Sequence, residues 1–571
     1  ERSDGLPLLH WFEGRIAAEL RLWDAIDQHR LVPFAYFGIH DGLDLREVPW
    51  RRGGGYDVEG LERLYTSNDA WARLVIQRVT EHVPDTGAMR ALGFCVSVAH
   101  ARYMARVFGQ AGIRAAAVWA DSAPDERRAA LRDLAEGKVN VVFSVDLFNE
   151  GVDVPAVDTL LFLRPTDSPV LFLQQLGRGL RRSEGKAVCT VLDFVGHHRR
   201  EFRFDRRFRA LLGGSRAELM RQIERGFPFL PAGCHMELDR VASELVFESI
   251  RAAVPSRWTA RADELRALAR AEGDPVTLAR FLGETGLELE DVYAGGRSWS
   301  DLREQAGLSC APAGPEEAVL RRACGRLLHV DDLERLDTWR RFLEHDAPPA
   351  PGALDERERR LLRMLVAQVV DQAVHRTTSL EAGAALLWAH RQVRAELREL
   401  LDALDPRVDH LHEPLPAPDV PLQIHARYTR IEILAAFGVG EGAKVAAWQT
   451  GVRWVPEARA DLLAFTLDKT SGQFSPTTRY RDYAISRDLV HWESQSATRE
   501  DSATGLRYRE HAARGTSIML LARLRADERA FWFLGPARYV SHEGELPMAI
   551  TWRLEHPLPG DLFASFAAAV A

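Results

Sequence analysis

The stretch VNVVFSVDLFNEGVDVPAVDTLLFLRP, residues 139–165, places two apolar runs on either side of a turn that contains glycine, acidic residues and proline. The two runs, 139–146 and 157–164, are short and rich in valine, leucine and phenylalanine. Neither run alternates with polar residues, which predicts strands that are covered on both faces, as in a parallel sheet.

Three further apolar runs flank this stretch, at residues 90–98, 113–120 and 187–196. Amphipathic segments separate the runs, and in one of them, 122–138, we expect Ser122 to cap a helix. Strands that alternate with helices indicate an α/β fold with a doubly wound parallel sheet over residues 1–212.

The remainder of the chain has two other patterns. Residues 213–415 are dominated by Leu, Ala, Arg and Glu at helical spacing, which predicts a helical connector. In residues 416–571, after a proline-rich boundary, short apolar runs alternate with Gly, Pro and polar turns. This second pattern predicts a β-rich C-terminal domain.

Composition limits the classes of function. The 571 residues carry a net charge of -8, a mean hydropathy of -0.21 and 46% hydrophobic residues, as in ordinary globular proteins. No apolar run reaches the roughly 18 residues that a membrane span needs. The five cysteines form no C-x-x-C pair, so we expect neither a zinc site nor disulfides, and a cytoplasmic location.

The segment LFLQQLGRGLRR, residues 171–182, spaces Gln174, Arg178 and Arg181 at i, i+4 and i+7, which is one face of a helix. A guanidinium stays charged and matches phosphate oxygens bidentately, so the two arginines are candidates for binding a phosphate as charge develops on it. A solvated basic helix is the alternative interpretation of these residues alone.

The turn between the two central runs supplies further candidates. In an open α/β sheet, ligands bind beyond the carboxyl ends of the strands, where this turn is predicted to lie. Gly151 allows the backbone to approach a ligand closely, and Asp153 offers a carboxylate to a ribose hydroxyl. A plain connection between strands, with Asp153 as a helix cap, is the alternative.

Taken together, in this order and spacing, these motifs resemble the second RecA-like lobe of superfamily 2 helicases and translocases. The resemblance is carried by ALGFCVSVAHARYM for motif IV, FSVDLFNEGVDVP for motif V and QQLGRGLRR for motif VI. It is strongest to the branch with the nucleotide-excision-repair and type III restriction translocases. The tail, for example FSPTTRYRDYAISRDLVHWESQS, resembles the uncharacterised C-terminal region attached to some bacterial superfamily 2 helicases.

The resemblance implies roles for individual residues. Arg181 would be the arginine finger, and Arg178 would bind phosphate beside it. The residues that would meet ATP at the interface between two lobes are Gln174, Gly177, Gly151 and Asp153. The residues that would lie toward a nucleic-acid backbone are Ser97, His100 and Ser144.

A two-lobed motor also needs a Walker A lysine and a Walker B acid to hold the phosphates and Mg²⁺. The pattern G-x-x-x-x-G-K-[ST] does not occur here, and in the nearest segment, 437–446, Lys444 precedes valine. Because the sequence also begins without methionine, we expect a first RecA-like lobe in a preceding segment or a separate chain. ATP and Mg²⁺ are the expected cofactors, and without that lobe we expect no ATP hydrolysis.

The tail adds candidates for nucleic-acid binding. Aromatic rings can stack on bases while arginines hold phosphates, which makes candidates of Arg479, Tyr480 and Trp492. An ordinary β core with buried aromatic rings is the alternative. A metal-binding nuclease set is a further interpretation, and its members would be Asp468, Glu493 and Gln495. Upstream, the arginine-rich segment 199–225 would line a nucleic-acid channel or form a solvated helix.

These patterns predict the C-terminal part of an ATP-dependent superfamily 2 DNA helicase or translocase, with RNA as the alternative nucleic acid. Two other functions stay open. One is a non-catalytic DNA-binding or adaptor subunit with a vestigial motor lobe, and the other is a helicase-nuclease with a nuclease-like tail. Phage defence and DNA repair are both compatible with such a motor.

Overall fold

The structure is a computed structural model that divides into two compact units, Glu1–Val254 and Pro255–Ala571. The residues that it describes are 20, 22–51, 55–145, 154–166, 168–199, 202–213, 216–228, 230, 233–252, 257–272, 276–439, 448, 450–468 and 482–570. No helix in this described part of the chain is long and apolar enough to cross a membrane.

The first unit alternates strands with helices. Its strands are β1 (Phe34–Asp44), β2 (Trp50–Arg51), β3 (Gly55–Tyr56), β4 (Ala91–Phe94), β5 (Ala115–Trp119), β6 (Val141–Val145), β7 (Thr159–Phe162), β8 (Cys189–His197) and β9 (His235–Leu238). Its helices are α1 (Leu22–Asp27), α2 (Val58–Thr66), α3 (Asp69–His82), α4 (Val98–Gln110), α5 (Pro124–Ala135), α6 (Pro169–Gly179), α7 (Phe204–Leu212), α8 (Arg216–Glu224) and α9 (Arg240–Ala252).

Seven of these strands form one parallel sheet in the order β5-β6-β4-β7-β8-β1-β9. The central strands β4 and β7 are buried at every residue, as expected when helices cover both faces. The predicted parallel α/β lobe is therefore confirmed. The sheet also includes β9, which lies beyond the boundary that we predict at residue 212.

One predicted helix start is wrong. α5 begins at Pro124, and the residue before it, Ala123, makes no side-chain cap. The Ser122 hydroxyl instead accepts a hydrogen bond from the Trp119 backbone N–H at 3.1 Å, which closes the turn after β5. The proline, whose missing N–H costs nothing at a helix start, marks the N-terminus here.

The second unit begins with helices and ends in a sheet. The helices of the connector are α10 (Trp258–Glu272), α11 (Leu278–Thr285), α12 (Leu289–Val292), α13 (Trp299–Gln305), α14 (Glu317–Cys324), α15 (Leu333–Glu344), α16 (Glu356–Val366), α17 (Gln372–Val374), α18 (Leu380–Ala389) and α19 (Arg391–Leu404). Short 3₁₀ turns join some of them, for example at Gly325–Leu327. The predicted helical region is confirmed.

The β-rich part follows directly. Its strands are β10 (Arg427–Thr429), β11 (Val452–Val455), β12 (Ala460–Asp468), β13 (Tyr483–Ala484), β14 (Leu489–Glu493), β15 (Ser517–Arg525), β16 (Ala530–Glu543) and β17 (Ala549–Leu554). Its helices are α20 (Arg430–Ala436), α21 (Ala503–Arg509) and α22 (Gly560–Val570). The sheet order is β11-β12-β15-β16-β17-β14-β13, with β10 paired to β16, and only the β12–β15 pair is parallel among these described strands.

A buried charge network joins the connector to this sheet. Arg335 on α15 is fully buried and donates to Glu432 on α20 at 2.9 Å and to the Arg427 carbonyl on β10 at 2.7 Å. It also contacts Asp332, and its guanidinium lies 4.0 Å from the Tyr428 ring centre. The network makes the helical connector and the start of the sheet parts of one core.

Candidate functional site

The arginine-bearing segment forms helix α6 and the residues just after it. Ser168 caps the helix by accepting from the Leu171 N–H, and Pro169 occupies the first turn. Phe172 and Leu176 are buried against the sheet. Gln174 and Arg178 lie on a half-buried face, four residues apart.

Two glycines of α6 have opposite surroundings. A Cβ on Gly179 would lie 2.4 Å from the Cys189 sulfur and 2.9 Å from Leu160 Cδ1, so this glycine permits close packing of α6 on β7 and β8. A Cβ on Gly177 would meet no described atom within 4 Å. Among the described residues, nothing occupies the space next to the Gly177 Cα.

Arg181 is not on the helix. α6 ends at Gly179, and Arg181 forms an antiparallel bridge with Leu31, next to a hydrogen bond from the Val32 N–H to the Leu180 carbonyl at 2.8 Å. The prediction that Arg181 shares one helical face with Gln174 and Arg178 is therefore wrong. The side chain is instead attached to a short extended segment tied to the residues just before β1.

Lys186 is a residue that the sequence analysis missed. Its ammonium donates to the Arg181 carbonyl at 2.8 Å and to the Pro155 carbonyl at 3.2 Å. Burial lowers the pKa of this lysine. The ammonium thus joins the end of the arginine segment to the turn that follows β6, and the only signal in the sequence is a lysine in a lysine-poor chain.

The other residues predicted to meet ATP, Gly151 and Asp153, lie outside the described residues. The description of the turn resumes at Val154, whose carbonyl accepts from the Val157 N–H at 3.2 Å. The strand before the turn, β6, and the strand after it, β7, are both neighbours of β4 in the sheet. Their carboxyl ends therefore lie on one edge of the sheet.

Ser97 and Ser144 lie close to that edge. Ser97 caps α4, and its hydroxyl accepts from the His100 N–H at 3.1 Å. Ser144 is the fourth residue of β6, and its carbonyl accepts from the Cys95 N–H at 2.9 Å. The Ser144 hydroxyl is buried and has no hydrogen-bond partner among the described residues.

His100 lies in the core of the first unit. Its side chain is fully buried and stacks on Tyr65 with ring centres 4.8 Å apart and planes 1° apart. Burial lowers the pKa of the imidazole to about 3, so the ring is neutral at neutral pH. A direct contact with a nucleic-acid backbone would require this ring to leave its packed position, contrary to the role implied by resemblance.

The arginine-rich segment is largely internal. Arg207 on α7 is buried and forms an ion pair of 2.5 Å with Asp193 on β8, which also accepts from the Tyr36 hydroxyl. Its guanidinium lies 5.2 Å from the ring centre of Phe172 on α6. A second buried arginine, Arg203, pairs with Asp205 on the same helix. Arg203 and Arg207 are therefore internal residues, and Arg207 supports α6 from within.

Trp492, predicted to stack on a base, is also internal. It is 3% exposed and packs against Tyr508 and Trp552, whose ring centres lie 5.7 and 6.4 Å away. The alternative of a β core with buried aromatic rings is correct for this residue. Arg479 and Tyr480 lie outside the described residues.

The proposed nuclease set is not assembled in the sheet. Asp468 ends β12 and Glu493 ends β14, and three strands, β15, β16 and β17, lie between these two. At about 4.8 Å per strand the separation is roughly 19 Å, too far for two ligands of one ion. Among the described residues, no group of three His, Cys, Asp or Glu side chains is placed to hold a metal.

Two protein families match this chain. Residues 76–183 match the helicase conserved C-terminal domain, and residues 422–566 match DUF3427, a domain of unknown function. The first match covers α4 to α6 and the arginine segment, and the second covers the sheet of the second unit. Both resemblances that the sequence suggests, to a second helicase lobe and to an uncharacterised C-terminal region, are confirmed.

Individual relatives match over short segments. The "51.5 kDa protein" of a Lactococcus phage is 29% identical over 174 residues, which are 30% of this chain and 37% of that protein. "Putative ATP-dependent helicase IRC3" of Saccharomyces cerevisiae is 35% identical over 103 residues, 18% of this chain and 15% of its own length. The "Type I restriction enzyme EcoKI endonuclease subunit" of Escherichia coli is 30% identical over 129 residues, 20% of this chain and 11% of its own.

Solved structures give partial superpositions. The E. coli DEAD-box protein SrmB matches with a TM-score of 0.21 and 20% identity, over 29% of this chain and 79% of that one. The type ISP restriction-modification enzyme LlaBIII matches with a TM-score of 0.28 and 14% identity, over 68% of this chain and 27% of that one. The chain spans well under half the length of the curated relatives above.

Proposed function

We propose that this chain, which carries a helicase conserved C-terminal domain, is the second motor lobe and tail of an ATP-dependent helicase or translocase that acts on DNA. The observation that carries the proposal is the end of α6. There two arginines stand next to Gly177, beside which no described atom lies within 4 Å of an added Cβ.

The residues of α6 fit a nucleotide that is shared with a first lobe. Arg178 and Arg181 bind phosphate oxygens, and their fixed positive charges stabilise the negative charge that develops on a transferring phosphoryl group. Gln174, four residues before Arg178 on α6, offers an amide group on the same half-buried face. Gly177 allows the helix to approach the nucleotide without a side chain between them.

The first lobe completes the site. Mg²⁺ and a Walker A lysine supply charge neutralisation on the phosphates when they are present, and this chain holds no Walker A sequence. The contribution of the residues here is to orient the phosphates and to exclude water as the lobes close. Gly151 and Asp153 belong to the same proposal, on the turn after β6.

DNA is the proposed track because a matched relative is named as the endonuclease subunit of a type I restriction enzyme. Ser97 and Ser144 are the candidate backbone contacts of the first unit, and the Ser144 hydroxyl is a buried donor that lacks a partner among the described residues. The ATP hydrolysis test described next is repeated with RNA in place of DNA, to compare the two nucleic acids.

The proposal is tested by ATP hydrolysis. We expect the chain alone to be inactive, and the same chain joined to or mixed with its first lobe to hydrolyse ATP in a DNA-stimulated manner. In that complete protein, Arg181→Ala should lower turnover by about 10³-fold or more, the scale of an arginine finger, while DNA binding is kept. Arg182→Ala is the matched control, because its guanidinium is exposed and donates to the His29 carbonyl at 2.8 Å.

The outcomes separate the motor from the adaptor function. If Arg181→Ala and Arg182→Ala have equal turnover, the finger assignment is wrong. If the complete protein binds DNA and never hydrolyses ATP, the motor motifs are vestigial and the chain is a DNA-binding adaptor.

A further inference from the structure

A cluster of arginines that form no salt bridge with any described residue lies around the first residues of β16, in the second unit. Arg430 begins α20 and Arg523 lies on β15, and both guanidinium groups pack on the same buried ring, Phe531, at 5.2 and 4.8 Å from its centre. Arg430 also lies 5.5 Å from the centre of the Trp448 ring. One buried aromatic ring thus supports both cations.

Three more arginines adjoin this pair. β10 pairs with β16 at Thr429 and Ala530, so the backbone next to Arg430 runs beside the backbone next to Arg529. Arg326, on the 3₁₀ turn Gly325–Leu327, is half-buried, and the charges of Arg529 and Arg322 add to burial in lowering its pKa. The Gln368 amide nitrogen donates to the Arg326 carbonyl at 3.2 Å, and the oxygen of the same amide accepts from the Thr429 hydroxyl at 3.3 Å, which places the turn beside β10.

The donors of the cluster are incompletely used. Arg430 Nε and Arg326 Nη1 are buried and have no hydrogen-bond partner among the described residues. Among the described residues, Arg430 donates to the Trp448 carbonyl at 3.1 Å, and Arg523 donates to the Thr466 hydroxyl at 2.9 Å and to the Glu528 carbonyl. Half-buried cations with spare donors favour an anionic ligand, since burial without a counter-ion is unfavourable.

The nearby carboxylates are engaged elsewhere. Glu432 pairs with Arg335 and His329, and Asp527 pairs with Arg525 at 2.6 Å. Glu528 accepts from the Leu524 N–H at 3.2 Å. The charges of Glu528 and Asp527 both act on Arg523, but burial prevails and lowers its pKa. Burial and the charge of Arg523 lower the pKa of Arg430 to about 10, as expected for a cation with no acidic neighbour among the described residues.

We infer that Arg430 and Arg523, with Arg326 and Arg529 beside them, form a binding site for the phosphodiester backbone of nucleic acid. Guanidinium groups bind phosphate oxygens bidentately. These four positive charges lie together in a chain whose net charge is -8. Because Phe531 and Trp448 are buried, the rings support the arginines and do not stack on bases. The site therefore recognises phosphates and not sequence. This inference rests on the proposed function in that nucleic acid is the ligand of the whole chain.

The test is equilibrium binding of fluorescently labelled single-stranded DNA to the 571-residue chain, without nucleotide, between about 50 and 200 mM salt. Each phosphate contact contributes about 0.7 to the slope of log affinity against log salt for single strands. We expect Arg430→Gln/Arg523→Gln to weaken binding about tenfold or more and to reduce that slope by roughly 1.4. Arg529→Gln, at an exposed position where folding is not at risk, should reduce it by about half as much.

The matched control removes two exposed, ion-paired arginines of the same unit, in Arg514→Gln/Arg538→Gln. It makes the same change in net charge and should leave the slope unchanged. Equal losses in the test and control variants would overturn the site, as would wild-type slopes in both Arg430→Gln/Arg523→Gln and Arg529→Gln. If polyglutamate and not DNA binds, and the double variant abolishes it, the ligand is an acidic protein and the inference is wrong.

The result is separable from that of the motor. ATP hydrolysis and the Arg181→Ala variant do not enter the binding measurement. A changed salt slope together with an inactive complete protein would keep the phosphate site and reject the motor. An active complete protein whose variants show an unchanged salt slope would keep the motor and reject the phosphate site.

Discussion

At the scale of single residues, substitution of glycine by alanine should have opposite effects on stability at Gly177 and at Gly179 of α6. A methyl group on Gly179 overlaps the Cys189 sulfur and Leu160, and overpacking of this kind costs about 1–3 kcal/mol. A methyl group on Gly177 meets no described atom, and alanine favours a helix by up to about 1 kcal/mol over glycine. We expect the unfolding temperature of the first unit to fall in Gly179→Ala and not to fall in Gly177→Ala.

Two further measurements complete this comparison. Cys189→Ala should restore part of the stability lost in Gly179→Ala, because it removes the nearer of the two overlapping atoms. In the complete motor, Gly177→Ala should slow ATP turnover although the fold is intact. Equal stability of the two glycine variants would contradict the packing role of Gly179.

The motif residues could be named from the sequence, but the direction of their side chains could not. His100 and Trp492 both lie in segments that the resemblances rest on, and both are core residues packed against other aromatic rings, His100 face to face and Trp492 edge-on. A single sequence does not distinguish an aromatic residue that faces solvent from one that faces the core when both neighbours on the strand or helix are apolar. The packing of Gly179 also depends on Cys189, ten residues away along the chain.

At the scale of helices and strands, the Arg335 network predicts how the connector is attached to the sheet. Removing Arg335 would leave Glu432 and Asp332 buried without their partner, which costs about 3–5 kcal/mol. We expect Arg335→Met to lower the unfolding temperature of the second unit and to increase hydrogen exchange in α15 and β10 together. Arg341→Ala, on the same helix but in an exposed pair with Glu358, should change stability by less than about 1 kcal/mol.

The same network gives a pH dependence. Burial would raise the pKa of Glu432, but the charges of His329 and Arg335 prevail and lower it to about 2. A carboxyl whose folded pKa is depressed contributes stability above its ordinary pKa near 4.5 and loses it as pH falls toward 2. The second unit should therefore lose stability below about pH 4.5, and Glu432→Gln should flatten that part of the curve. An unchanged pH profile in Glu432→Gln would contradict this assignment.

The elements themselves were predictable where their apolar pattern is unbroken. β4, β6, β7 and β8 of the first sheet follow directly from their apolar runs. β1 does not, because His40, Asp41 and Asp44 interrupt it, and these polar residues are accommodated by tertiary partners. Asp41 is buried and accepts from the Trp71 indole at 3.1 Å, a contact between residues 30 positions apart that no local pattern reveals.

At the scale of the whole molecule, each compact unit has its own sheet and its own apolar core. We expect the two units to unfold in separate transitions, and residues 22–252 and 257–571 to fold when expressed apart. Calorimetry of the chain and of the two pieces measures this. Each piece should unfold within a few degrees of its transition in the chain. A single transition in the chain that neither piece shows would contradict the independence of the two units.

The contact of Lys186 with two carbonyl groups has a mechanical consequence. One ammonium holds the backbone of Arg181 and the backbone of Pro155, which belong to segments on two different sides of β7 in the chain. A displacement of either carbonyl is therefore opposed by the hydrogen bond to the other. The backbone at Pro155 and the backbone at Arg181 should move together, and acylation of that single amine would uncouple them.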